Sequence, residues 1–318
     1  MTTSKFNDPS SPIKIGNTGL PSQVLIPKTI IGGILLPKAY AVSAANLATS
    51  ALFITEMQRL TTLAKASRAY PLGPFTDTAE KSEEDVYVKS NYGVSTFVRE
   101  GKVMLNFAMT AGGIGLQNAL RSFNQTKAHT ILLYDSENTV LGTKDGAGGM
   151  KGFEIEEFMA KAWKVSDGTK PAVFAIDIMF ANTRELNDDI VFIKLDTGFH
   201  GNVKGILDLV IEKVSSTGSK AVVKVMTKLS KTNLYSFYKT ELAAPAVWAA
   251  DNAGVTAAIS AVTGTDATET FELTLTVAST THLSLVSAAL LEAAGIGGSP
   301  DNGYESNTID ITTGAEVD

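Results

Sequence analysis

The sequence predicts a mainly β protein with a few short helices. Many short stretches rich in β-branched and aromatic residues are separated by polar turns, as in proteins built from consecutive strands. Helical spacing of apolar residues is confined to a few short stretches. The composition, 44% hydrophobic and 19% charged, is that of a folded chain. Its 318 residues exceed the usual single domain of about 100–200 residues, so we expect two or more compact units.

The first 45 residues are rich in Pro, Gly, Ser and Ala, and they include the apolar stretch LIPKTIIGGILLPK at 25–38. Two prolines and a Gly-Gly pair disfavour a helix, because proline removes a backbone donor and glycine is costly to order. We therefore predict an extended arm that is buried against protein, partly across a boundary between two copies. The residues expected to make this assembly contact are Leu25, Ile26, Ile30, Ile31, Ile34, Leu35 and Leu36.

This stretch does not predict membrane insertion. Its apolar run is far shorter than the roughly 18 residues that a spanning helix needs. The first residues also lack a basic segment followed by an apolar one, so we do not expect a secretory signal.

The next elements follow from apolar spacing and turn residues. One amphipathic helix is predicted within 47–68, a short helix at 112–123, and a third helix at 153–163. A hairpin is predicted where Ser136-Glu137-Asn138 separates two apolar runs. Further strands are predicted at 86–88, 95–98, 102–107, 173–180, 190–195, 206–214 and 221–226.

From about residue 234 the composition shifts to Ala, Thr, Val and acids, with short alternating strands at regular spacing. Such spacing is typical of a small β-sandwich. The predicted organisation is therefore an N-terminal extended arm with one helix at 1–75, a β-rich body at 76–232 and an acidic β-sandwich-like domain at 233–318.

Charge is distributed unevenly along the chain. The net charge is −6, yet no Lys or Arg follows Lys239, and the last 79 residues contain 11 acids. Residues 1–239 contain all 27 bases and the other 22 acids, a net of +5. The acidic part either solubilises one domain or faces the basic body of a neighbouring copy. The sequence contains no basic cluster interleaved with aromatic residues, so we do not expect dedicated nucleic-acid binding.

Motifs for catalysis or metal binding are weak. The chain has no cysteine, which excludes thiolate chemistry, and its three histidines are far apart in the sequence. Gly113-Ile114-Gly115 followed by Asp135 resembles a dinucleotide fingerprint, but Asn118 replaces the third glycine and no second β-α-β unit follows. We therefore predict no catalytic residue, no cofactor, no metal site and no small-molecule substrate.

Two longer segments resemble virion structural proteins of bacteriophages, especially phages of Bacteroidetes hosts. They are ALRSFNQTKAHTILLYDSENTVLGTKDGAGGMKGFEIEEF at 119–158 and AVWAADNAGVTAAISAVTGTDATETFELTLTV at 246–277. The resemblance is one of style and motif order over residues 90–290, and it transfers no site residue.

The resemblance implies a non-enzymatic, self-assembling subunit of a virion that is made in the host cytoplasm. The first expectation is a major capsid protein with jelly-roll-like barrels. The alternative is a tail-tube or neck protein, with an α+β body and an immunoglobulin-like C-terminal domain. Its partners would be copies of itself and other virion proteins, with incidental contact to packaged DNA or an internal membrane.

Two other classes stay open from the sequence. One is the nucleotide-binding enzyme that the glycine-rich segment indicates. The other is a carbohydrate-binding adhesion module, for which Trp248 and Tyr304 are the aromatic platforms of the C-terminal part.

Overall fold

The computed structural model describes residues 27–110, 112–166, 168–169, 171–217, 219–252, 254–276, 280–297 and 303–312. The chain divides into two compact units, Met1–Val203 and Lys204–Asp318. Both units consist mainly of strands, so the predicted fold class is confirmed.

The first unit contains two large sheets, a two-stranded sheet and four α-helices in its described residues. The helices are α1 (Ser50–Thr61), α2 (Gly113–Arg121), α3 (Thr183–Asn187) and α4 (Phe199–Asn202), with a 3₁₀ turn at Lys65–Ser67. The strands are β1 (Ile30–Pro37), β2 (Ala41–Val42), β3 (Tyr70–Leu72), β4 (Asp77–Glu80), β5 (Val86–Lys89), β6 (Ser95–Arg99), β7 (Met104–Met109), β8 (His129–Asp135), β9 (Thr139–Asp145), β10 (Gly149–Lys151), β11 (Phe153–Ala160), β12 (Phe174–Phe180) and β13 (Ile190–Lys194).

Strand β11 joins the two sheets. Its first residues pair with β8 in the first sheet, which also contains β1, β2, β3, β9, β10 and β13. The rest of β11 pairs with β12 in the second sheet, which has the order β11-β12-β7-β4. All of these pairings are antiparallel.

Each face of the first sheet has its own core. On one face, Ile34 and Leu36 of β1 pack with Phe53 and Met57 of α1. On the other face, Leu35 packs in the core that the first and second sheets share. Strand β1 is therefore buried on both faces, which explains its nearly continuous apolar sequence.

The second unit is a small sandwich around a single core. Its sheets have the orders β18-β19-β15-β14-β21 and β17-β16-β20-β22. The strands are β14 (Ile206–Thr217), β15 (Lys220–Thr227), β16 (Trp248–Asn252), β17 (Val255–Thr256), β18 (Ile259–Thr265), β19 (Thr270–Leu275), β20 (Thr280–Leu285), β21 (Gly303–Ser306) and β22 (Ile309–Thr312); the helices are α5 (Tyr235–Leu242), α6 (Ala288–Ala293) and a 3₁₀ turn at Pro245–Val247.

The predicted domain boundaries are wrong in two places. The second unit begins at Lys204 rather than near 233, because β14 pairs with β21 and β15 pairs with β19. The described part of 1–75 is not a separate arm, because β1 and β3 belong to the first sheet.

The new boundary changes the interpretation of charge. Residues 204–239 contain seven bases and two acids, so the second unit has seven bases against 13 acids, a net of −6. The first unit then has 20 bases and 20 acids, a net of zero. The second unit is therefore acidic as predicted, but the first unit is not the basic body that was expected, because the bases that follow Val203 belong to the second unit.

Candidate assembly surface

The chain between β4 and β7 forms one long hairpin, of which only the base belongs to the second sheet. Beyond the pairs of β4 with β7, Lys81 N–H donates to the Met104 carbonyl (2.8 Å) and Glu83 N–H to the Lys102 carbonyl (2.9 Å). The ladder then continues into the pairing of β5 with β6. We call residues 83–100 the ribbon, and β5 and β6 form a separate two-stranded sheet within it.

The ribbon exposes apolar side chains on both faces. Tyr87 and Phe97 are paired across the strands on one face, with ring centroids 5.6 Å apart. Val88, the neighbour of Tyr87 in β5, lies on the opposite face, because successive strand residues alternate. Val98 is the extra residue of a bulge between the pairs Val86–Arg99 and Tyr87–Phe97. Six large side chains are between 51% and 95% exposed: Tyr87, Val88, Tyr92, Val94, Phe97 and Val98.

Of the 16 large apolar side chains that are exposed among the described residues, six lie within the ribbon. An isolated two-stranded hairpin is at best marginally stable in water. A cluster of exposed apolar side chains indicates an interaction surface. The ribbon is therefore the strongest candidate for a binding surface in the described residues.

Close backbone contact fixes the base of the ribbon. A Cβ atom at Gly101 would overlap the carbonyl group of Glu83, so this position requires glycine. Gly101 N–H also donates to the Asp85 carboxylate (2.8 Å). Arg99 lies 3.4 Å from the Glu83 carboxylate across the two strands. These contacts hold the ribbon where it leaves the second sheet.

The residues predicted to form an assembly arm have a different role. Ile30, Ile31, Ile34, Leu35 and Leu36 all lie in β1, which pairs with β3 and β8 of the same chain. The last three are 0% exposed. Ile34, Leu35 and Leu36 are thus buried within their own chain, while Ile30 and Ile31 are half-buried. The predicted contact of this stretch with a second copy stays a prediction. Leu25 and Ile26 lie outside the described residues.

The glycines of this stretch are explained by close packing rather than by an extended arm. A Cβ atom at Gly32 would overlap the Tyr134 ring, and one at Gly33 would come within 2.9 Å of the Leu132 carbonyl oxygen. Tyr134 is buried, and burial raises the pKa of its phenol. The Gly-Gly pair therefore allows β1 to lie against β8.

The segment that resembles a dinucleotide fingerprint has the wrong topology for that function. Strands β7 and β8 are in different sheets, and each has only antiparallel partners, so they do not form a parallel β-α-β unit with α2. Asp135 is 0% exposed and accepts bonds from the backbone N–H groups of Lys28, Glu137 and Thr139. Its carboxylate closes the β8–β9 turn instead of binding a ribose.

The two aromatic residues proposed as carbohydrate platforms are buried. Trp248 is 5% exposed, and its indole N–H donates to the Leu242 carbonyl (2.8 Å). Tyr304 is 8% exposed and packs against Tyr238. Neither ring is available to stack on a sugar, so the residues that supported a carbohydrate-binding module do not form such a site.

Beside Trp248, a shallow cleft of about 470 Å³ lies on the second unit. Seven of its 12 lining residues are apolar, and the other five are polar: Asp251, Thr256, His282, Ser284 and Thr308. Within the described ranges, no group of three or more His, Asp and Glu side chains is placed to hold a metal ion.

Asp177 is the centre of a polar cluster on the outer face of the second sheet. Its carboxylate contacts Asn106 and Lys161, and it lies 3.7 Å from the Lys81 ammonium. Burial alone would raise the pKa of Asp177, but hydrogen bonds from Lys161 and Asn106 and the charges of the two lysines outweigh it. The net result is a lowered pKa, so the native state favours the carboxylate.

We expect Asp177→Asn to destabilise the first unit at pH 7 by about 1.5–3 kcal/mol, the range for hydrogen bonds to a charged group. Because the folded pKa is lowered, this contribution is present above the unfolded value of about 3.9 and is lost as pH falls through the folded pKa. Urea titrations with pulsed hydrogen exchange on β7 and β12 peptides, at pH 7 and pH 2, would measure it.

The control for this prediction is Asp188→Asn, which changes an exposed carboxylate paired with Arg184. We expect that variant to change the free energy of unfolding by less than about 0.5 kcal/mol. A difference between wild type and Asp177→Asn that is as large at pH 2 as at pH 7 would contradict the assigned pKa direction.

Comparison with known proteins identifies no relative. No protein-family model matches the chain, and no curated protein matches its sequence. No helix among the described residues is long and apolar enough to cross a membrane.

Proposed function

We propose that this chain is a self-assembling structural subunit of a bacteriophage particle, and that it assembles through the ribbon. The observation that supports self-assembly is the exposure of six large apolar side chains on both faces of a two-stranded element outside the body. Contact with another protein would remove these side chains from water, at a gain of about 25 cal/mol per Å² of apolar surface buried. The bacteriophage part of the proposal comes from the resemblance of residues 119–158 and 246–277.

Between the two particle types, we favour a tail-tube or neck subunit over a capsid subunit. The sequence favoured a shell because an N-terminal apolar arm suits a lattice with several neighbour environments. With Ile30, Ile31, Ile34, Leu35 and Leu36 inside the first unit, the described residues no longer supply that reason. A ribbon that extends in line with one sheet suits contacts between successive subunits along an axis.

The experiment is to purify the chain and measure its assembly over a range of protein and salt concentrations. Negative-stain electron microscopy and multi-angle light scattering should show rings, tubes or shells. We expect Tyr87→Ser/Phe97→Ser to raise the protein concentration needed for assembly at least about tenfold, since each aromatic contact contributes about 1.5–3 kcal/mol.

A matched control is Leu52→Ser, which removes an exposed apolar side chain from α1, outside the ribbon. We expect it to assemble like the wild type. A wild-type chain that stays monomeric at every salt and protein concentration would contradict the proposed function. Equal assembly of the wild type and the ribbon variant would show that another surface is responsible.

A further inference from the structure

The second sheet of the first unit has two chemically distinct ends. The ribbon leaves the end at which Glu80 pairs with Leu105 and Met179 pairs with Met104. At the other end, Phe174 pairs with Met109 and Ala160 with Ile176. The two ends are separated by the length of these strands, about 20 Å at about 3.4 Å per residue.

The end opposite the ribbon has its own exposed apolar residues. Ile114 in the first turn of α2 is 58% exposed, while Trp163 and Val165, which follow β11, are 43% and 71% exposed. We call these three residues the apolar end. They lie outside the cores of the first unit, as the ribbon side chains do.

Hydrogen bonds place α2 beside the chain that follows β11. Asn124, after the C-terminal end of α2, accepts a bond from Ala160 N–H (2.7 Å), and Gln117 donates to the Lys161 carbonyl (2.8 Å). Helix α2 therefore lies beside the chain that leaves β11, with Asn124 next to Ala160 and Gln117 next to Lys161. Ile114 lies one turn before Gln117, in the first turn of α2, and Trp163 and Val165 lie two and four residues after Lys161.

The charges of the two ends are complementary. The ribbon contains four acids and two bases, a net of −2: Glu83, Glu84, Asp85, Glu100, Lys89 and Arg99. The segments around the apolar end, 112–127 and 161–166, contain four bases and no acid: Arg121, Lys127, Lys161 and Lys164. Lys161 is paired with Asp177, which leaves a net of +3. Opposite charges around matching apolar surfaces favour association in one orientation.

We propose that the ribbon of one copy docks on the apolar end of the next copy, so that subunits join head to tail. The inference rests on the proposed function, because it names the surface that receives the ribbon. Such a contact is heterologous: it uses two different surfaces, and repeating it produces rings or stacked arrays rather than closed dimers. Both faces of the ribbon would be covered if it lay between the apolar end and a further neighbour.

Two assembly-defective variants test this pairing. The ribbon variant Tyr87→Ser/Phe97→Ser keeps the apolar end, and the end variant Trp163→Ser/Val165→Ser keeps the ribbon. We expect each alone to assemble at least about tenfold more weakly than the wild type. Mixed at equal concentration, they should form a 1:1 complex that does not grow, since only one intact pair of surfaces remains. Analytical ultracentrifugation of the separate and mixed samples would measure this.

Trp163 is partly buried, so its replacement could disturb folding. A second end variant, Ile114→Ser/Val165→Ser, leaves Trp163 in place. Thermal melting followed by circular dichroism shows whether each end variant is folded. If the end variants assemble like the wild type while the ribbon variant does not, this inference is wrong and the proposed function stands. If both defective variants stay monomeric when mixed, the ribbon does not dock on the apolar end. If the ribbon variant and the wild type are both monomeric throughout, the proposed function itself is wrong, and this inference with it.

Discussion

Replacing Leu35 with Ala is expected to lower the free energy of unfolding of the first unit by about 2–5 kcal/mol. Leu35 is 0% exposed and lies in the core that the two sheets share. Truncation removes the contacts of its side chain and leaves a cavity in a strand that is bonded on both edges. A typical domain has only about 5–15 kcal/mol of stability, so this single change is large.

Hydrogen exchange measured by peptide would test the prediction, with the second unit as an internal reference. Amides of β1 and β8 should exchange faster in Leu35→Ala, and amides of the second unit should not change. The matched control is Leu52→Ala, the same truncation at a side chain that is 47% exposed, with an expected effect below about 0.5 kcal/mol. Equal effects of the two truncations would contradict the burial of β1.

The buried position of β1 changes the expected result of a broader substitution. If this stretch were an arm, replacing Ile30, Ile31 and Leu35 with Ser would abolish assembly and leave the body folded. In the structure the same change places hydroxyl groups in a buried or half-buried strand. We now expect the first unit to unfold, because the summed loss is comparable to the whole stability of a domain.

Local patterns in the sequence predicted many elements well. The β8–β9 hairpin was predicted from two apolar runs around a polar turn, and the structure has this turn with Asn138 at a φ of 63°. Helices α1 and α2 and strands β12 to β15 also lie where apolar spacing placed them. In these segments the local preference and the tertiary structure agree.

The helix predicted at 153–163 is wrong, and a bulge explains why. This segment is β11, and its register with β12 shifts between Ile155 and Glu157. The extra residue breaks the alternation of Phe153, Ile155 and Phe158, all of which are buried. The disrupted pattern of apolar residues therefore resembles helical spacing. The segment also contains three glutamates, and glutamate favours a helix over a strand.

Long-range pairing accounts for the other errors. The apolar run of β1 is typical of a strand buried on both faces, but the Gly-Gly pair makes sense only beside Tyr134. The boundary at 203 depends on β14 pairing with β21, about 100 residues later. Likewise, the sequence shows that residues 86–88 and 95–98 form strands, but not that they extend beyond the second sheet.

Removing the ribbon is expected to abolish assembly and leave the first unit folded. The variant replaces Val86–Arg99 with Asn-Gly, a two-residue turn that can join the strands at Asp85 and Glu100. The deleted side chains contribute nothing to the two cores of the first unit. We therefore expect hydrogen exchange in β7 and β12 to stay within about 0.5 kcal/mol of the wild type. Electron microscopy should show no particles at any concentration at which the wild type assembles.

A second variant separates the length of the ribbon from its apolar surface. Replacing Tyr87, Val88, Phe97 and Val98 with Thr places a β-branched residue that favours strands at each position, but removes most of the exposed apolar area. If the apolar side chains drive assembly, this full-length ribbon should fail like the deletion. Assembly of the Thr variant at wild-type concentrations would mean that backbone pairing of β5 or β6 with a neighbouring sheet edge supplies the contact instead. Loss of exchange protection in β7 on deletion would mean that the ribbon stabilises the sheet from which it extends.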